Sequence, residues 1–165
     1  MSWRLMCRSL LYFVLAVLAA SLLGSIIQTQ FNLASIAALG GEVPLALWLA
    51  TTLEDVVGFG PLYAGMMAVA LLPALLVAAL VWRLMPGTAP GRREGLRLTL
   101  YALAGAVGIF AAFQLANMAA PMPTLIAATR GVGGTLAMML SGALGGWVFA
   151  RLHSLDQPRL DPPPA

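Results

Sequence analysis

Basic residues in this chain fall almost entirely between apolar runs, and that placement constrains the fold more than any other feature. All nine are arginines. Arg4 and Arg8 precede the first long apolar run; Arg83, Arg92, Arg93 and Arg97 separate the second from the third; Arg151 and Arg159 follow the fourth. Arginine beside a membrane-crossing segment marks the side on which that end stays during insertion. Four apolar runs punctuated in this way predict four crossings, with three patches on one side and Arg130 alone on the other.

Composition agrees with that reading. The chain is 61% hydrophobic and 9% charged, with a mean hydropathy of +0.91, whereas soluble domains carry about 25% charged residues. At 165 residues it suits one compact domain, expected over residues 1–152, with a flexible tail at 153–165. The net charge of +3 does not point to nucleic acid, because the arginines flank apolar segments instead of forming a basic face. Arginine without lysine, beside abundant Ala, Leu and Gly, fits a GC-rich bacterial source and hence an inner-membrane location.

The first run, residues 9–27, has nineteen residues without a charge, enough for a crossing. Arg4 and Arg8 ahead of it resemble the start of a signal peptide. The run is longer than such a segment needs, and its removal would place the arginine patches on conflicting sides, so it is read as a retained helix. Gln28, Gln30 and Asn32 are expected to close it at the membrane boundary. Pro44 is read as the first residue of a new helix, carrying Leu45, Leu49, Leu53 and Val56 on one stripe over residues 44–57. Glu54 and Asp55 leave that stretch too short to cross, and an interfacial or half-inserted helix is expected.

Residues 58–61, Gly-Phe-Gly-Pro, predict a break. The second crossing is read at residues 62–82, kinked at Pro73. Residues 85–96 read as a polar basic loop, and the third crossing spans residues 98–118. Pro121 and Pro123 mark a loop or short re-entrant segment ending near Arg130. The fourth crossing is read at 132–150, with His153 just beyond it, and residues 157–165 hold four prolines in a mobile tail. The fold class is therefore an all-α membrane bundle of four helices. The arginine-bearing segments hold eight arginines against Glu94, Asp156 and Asp161, a net of +5, while Arg130 faces Glu42, Glu54 and Asp55 across a net of −2. Both termini are thereby expected in the cytoplasm, with the other side periplasmic.

Several chemistries lack their residues. Cys7 and His153 are the sole cysteine and histidine, so no thiol pair, intramembrane haem ligation or zinc set is expected. Nine methionines, including the pairs Met66–Met67 and Met138–Met139, invite a copper site, but adjacent residues face different ways and adaptable packing accounts for them better. The glycine-rich 131–134 lacks the strand and the Lys-Ser/Thr ending of a nucleotide loop. No metal or cofactor is expected.

Three features remain as candidate sites. Glu54 or Asp55 could pair with Arg130, as charges near a membrane usually do, although neighbours on a helix point about 100° apart and only one acid can face it well. The amides Gln28, Gln30, Asn32, Gln114 and Asn117 fall near the same side and could bond helix to helix or line a polar pocket. Gly142 with Gly146, and Ser141 with Gly145, form small-xxx-small pairs suited to close helix packing, within the chain or between copies. The expected role is non-catalytic: a subunit of a membrane complex or an envelope or assembly factor. Its partners would be the bilayer, a second copy or another membrane protein, and not nucleic acid. The alternative is a small transporter or channel, as a single copy or a dimer, that uses the periplasmic polar cluster. A lipid-directed enzyme is set aside, because no base and nucleophile stand together.

Overall fold

The computed structural model describes residues 3–85, 90–119 and 127–155. They form α1 (Trp3–Ala38), α2 (Leu45–Gly58), α3 (Gly60–Leu84), α4 (Pro90–Ala119) and α5 (Val132–Leu155), with a 3-10 turn at Ala127–Arg130 before α5. Four of these helices, all but α2, are long and apolar enough to cross a membrane.

Most helices overrun the boundaries expected from hydropathy. α1 continues through Gln28, Gln30 and Asn32 for another turn and a half to Ala38. Glutamine is a good helix former, and these side chains find partners without leaving the helix. Gln30 donates to the Ile26 carbonyl at 3.2 Å, and Ser35 donates to that of Phe31 at 2.7 Å. What stops α1 is Gly40, in the left-handed region at φ +86. Its N–H donates to Ala37 O and that of Gly41 to Ile36 O, each at 3.0 Å, the paired closure that lets a glycine satisfy the last carbonyls. At 36 residues and 1.5 Å per residue, α1 is about 54 Å long, against about 30 Å of hydrocarbon.

Other boundaries shift for similar reasons. Pro44 is the N-cap of α2, which begins at Leu45, one residue later than expected, and the Pro44 carbonyl accepts the Trp48 N–H at 3.0 Å. The break expected at 58–61 shrinks to Phe59, whose backbone stays in the right-handed helical region at φ −84, ψ −32. Pro61 falls in the first turn of α3, where its missing N–H costs no helical bond. α3 runs through Pro73 as one helix. Residues 90–96, expected as loop, are the first turns of α4; Pro90 is suited to a helix start, and Arg and Glu favour helix. His153 lies inside α5, not beyond it. Pro121, Pro123, Arg159 and the prolines of the tail fall outside the described residues.

The four long helices form a ring in the order α1, α3, α4, α5, each antiparallel to its neighbours. Gly24 of α1 meets Tyr63 of α3, Gly108 of α4 meets Ala70 and Ala74 of α3, and Gly105 of α4 meets Gly142 of α5. α5 returns alongside α1, so that Gly145 packs on Ala16 and Ala20 and the His153 ring lies 6.5 Å from that of Tyr12. The interior is small and tightly filled: Met67, Leu71, Ile109 and Met138 are fully buried, while Met66 and Met139 pack around them. Only 22–33% of each long helix's most apolar window is buried. Leucines and valines such as Leu18, Val69, Leu76, Leu103 and Leu140 face outward, a pattern compatible with lipid contact.

Glycine sets the closest approach. A Cβ on Gly146 would lie 2.0 Å from the Tyr101 carbonyl oxygen, and one on Gly142 would lie 2.4 Å from that of Gly105. Each glycine costs helix stability relative to alanine, and the return is backbone contact between α4 and α5. Ser141 and Gly145 face the other way, toward α1 and α3: Gly145 meets Leu71 and Ala20, and the Ser141 and Tyr63 hydroxyls are 2.8 Å apart. All four small residues, Ser141, Gly142, Gly145 and Gly146, are buried within this chain.

Candidate functional site

Antiparallel packing gathers charge at the two ends of the bundle. Arg4, Arg8, Arg83, Arg92, Arg93, Arg97 and Arg151 share one end with Glu94; Glu42, Glu54, Asp55 and Arg130 share the other. At the arginine end the side chains knit helices together. Arg97 Nη2 donates to the Ala150 carbonyl at 2.9 Å, and Arg151 pairs with Glu94. The Arg93 guanidinium lies 5.7 Å from the Trp82 ring centre, within cation–π range.

The opposite end is organised around α1. Gln28 is buried, and its Oε1 accepts the Ala128 N–H at 3.1 Å, tying the 3-10 turn to α1. The next residue, Thr29, is fully buried, and its hydroxyl donates to Asp55 Oδ2 at 2.7 Å. A hydrogen bond to a carboxylate is stronger than one between neutral groups, so this contact latches α2 onto α1. Glu54, beside Asp55, is exposed.

Between α1, α2 and the start of α5 lies a pocket of about 610 Å³. Asp55, Arg130, Asn32, Ser35 and Thr51 supply its polar groups; Phe31, Leu33, Ile36 and Ala128 supply apolar wall, and Gly131, Gly133 and Gly134 form the floor by the first turn of α5. A Cβ on Gly131 or Gly133 would meet nothing within 4 Å, whereas one on Gly134 would lie 1.8 Å from Ala128 O. Gly134 is therefore required for packing, and the other two leave backbone open.

The structure thus brings Arg130, Asp55 and Asn32 to one pocket and leaves Glu54 outside it. Gln28 is spent on the 3-10 turn and Gln30 on its own helix. Gln114 is exposed, and Asn117 lines a separate pocket of about 370 Å³ with Phe59, Tyr63, Phe113 and Thr129. The amides of α1 and α4 do not share one pocket.

Sequence reasoning passed over Thr29, Ser35, Thr51 and the buried hydroxyls of α1. Ser21, Ser25, Gln28 and Thr29 are all buried; Ser25 stands four residues after Ser21, and Gln28 and Thr29 stand three and four after Ser25, which puts them on the inner face of one helix. That spacing was the available signal. Ser21 donates to Val17 O at 2.7 Å, while Ser25 Oγ is buried without a hydrogen-bond partner among the described residues. This polar line covers about 12 Å of α1 and then gives way to Ala20, Ala16 and Leu71 in the apolar core. Among the described residues no three His, Cys, Asp or Glu side chains gather as a metal site. Compared with protein-family models, curated proteins and solved structures, the chain matches none.

Proposed function

We propose that this is a small bacterial inner-membrane protein that works by binding, as a subunit of a membrane complex or as an envelope or assembly factor. Both termini lie in the cytoplasm with the arginine end, by the rule that arginine stays inside. α2 then lies at the periplasmic boundary, where its exposed Leu45, Leu49 and Leu53 sit in the headgroup region as an interfacial helix.

The observation that carries this reading is the closed middle of the bundle. Met67, Leu71, Ile109 and Met138 are fully buried there, and α4 meets α5 through backbone at Gly105 and Gly142. Such a core offers no polar route across the membrane, while the pocket at the α2 end offers a place to bind. A second reading, a small carrier, draws on the line Ser21, Ser25, Gln28 and Thr29 that enters the bundle from that end.

Affinity purification of the full chain from its native membrane tests the first reading. A stoichiometric protein partner that survives mild detergent supports it. Purified chain without a partner, together with solute flux in proteoliposomes that is lost on Thr29→Val or Asp55→Asn, would overturn it in favour of the carrier.

A further inference from the structure

The pocket at the α2 end joins one acid and one base in a small amphipathic cavity. Its volume of about 610 Å³ lies within the 300–1,000 Å³ usual for small-ligand sites. Arg130 lies at the end of the 3-10 turn, next to the first turn of α5. A guanidinium has five donors in a fork that matches a phosphate, and the start of a 24-residue helix adds a positive field beside it. Asp55 faces the same cavity from α2, its carboxylate held by the Thr29 hydroxyl at 2.7 Å. With one oxygen so held, the carboxylate retains acceptor capacity for an ammonium group.

We propose that this pocket binds a phosphate–ammonium zwitterion, the headgroup of a phosphatidylethanolamine-type lipid. Arg130 takes the phosphate and Asp55 the primary ammonium, while Phe31 and Ile36 line the cavity beside the glycerol. The charge pattern selects this class. A phosphatidylglycerol brings an anion but no ammonium group to donate to Asp55. A phosphatidylcholine brings a cation that has no N–H to donate. The lipid source, as against a dissolved solute, follows from the exposed leucines of α2, which place the same end of the molecule among lipids. The inference rests on the proposed placement of that end at a membrane surface, but not on which surface it is.

The test uses the full chain in mild detergent, offered an equal mixture of phosphatidylethanolamine, phosphatidylcholine and phosphatidylglycerol with identical acyl chains, and read by native mass spectrometry. Wild-type protein is expected to retain phosphatidylethanolamine about tenfold over the other two, the discrimination expected of one charge-assisted hydrogen bond. Asp55→Asn keeps an acceptor for Thr29 and should bring phosphatidylethanolamine down to the level of phosphatidylcholine. Gly133→Val fills open space, since a Cβ there meets nothing within 4 Å, so it should lower retention of the favoured lipid without lowering the melting temperature. Equal retention of the three lipids by wild type, or no response to either variant, would overturn the proposal. Binding of soluble O-phosphoethanolamine without lipid retention would overturn the lipid source. Because the assay contains no partner protein and measures no flux, its failure is separable from failure of the subunit reading.

Discussion

The two ends of this bundle spend their charges differently. At the arginine end, Arg97, Arg151 and Arg93 reach a carbonyl, a carboxylate and an indole on neighbouring segments, and α4 and α5 touch backbone to backbone at Gly146. At the acidic end, Asp55 and Arg130 line a cavity beside glycines whose faces are open. At one end the named charges bind neighbouring helices together, and at the other Asp55 and Arg130 line a cavity. The difference teaches that Arg93, Arg97 and Arg151 serve packing between helices, and that the chemistry worth testing lies with the few charges at the opposite end.

Paired glycine substitutions should break the comparison most sharply. Gly146→Val forces a side chain into the Tyr101 carbonyl, which a Cβ would already approach to 2.0 Å; overpacking of this kind costs about 1–3 kcal/mol or more. Gly133→Ala, with nothing within 4 Å, should be neutral or gain up to about 1 kcal/mol from helix propensity. Thermal unfolding in detergent measures both, and equal losses at the two positions would remove the distinction between closed and open ends.

Gln28→Leu should act next most strongly, and locally. The Ala128 N–H loses its acceptor in a buried place, a penalty of about 1–3 kcal/mol. Hydrogen exchange should quicken at residues 127–130 while the α4–α5 contact stays protected. Uniform exchange across the bundle would show that the two ends are not separable. The smallest effect is expected from Glu94→Gln, because the pair with Arg151 is well exposed and such pairs are worth less than about 1 kcal/mol. A larger loss in urea or thermal unfolding would make the arginine end more than a fastening of weak contacts.

Much of the architecture was legible because the bilayer imposes a simple rule on sequence. Four apolar runs of sufficient length give four helices long and apolar enough to cross a membrane, and their ends differ from expectation only where hydropathy is a poor guide. Residues 90–96 and 28–38 are polar or mixed in character yet helical, since helix termination is decided by backbone signals such as Gly40 and not by loss of apolarity. The site was less legible. Asp55 and Arg130 stood out as isolated charges, but their common pocket depends on Thr29, 26 residues before Asp55, and on a bond from Ala128 to Gln28 across 100 residues. No local pattern encodes those meetings. The inner polar face of α1 was readable from the spacing of Ser21, Ser25, Gln28 and Thr29, and was missed because serine and threonine look unremarkable within an apolar run.

The division between the ends is tested most directly by cysteine accessibility, since Cys7 is the chain's sole cysteine and is exposed at the arginine end. Cells expressing the native chain are treated with a membrane-impermeant maleimide before and after permeabilisation, alongside a Cys7→Ser chain carrying Glu42→Cys at the acidic end. The account predicts labelling of Cys7 only after permeabilisation and labelling of the residue 42 thiol in intact cells. Cys7 labelled in intact cells, with position 42 protected, would contradict it.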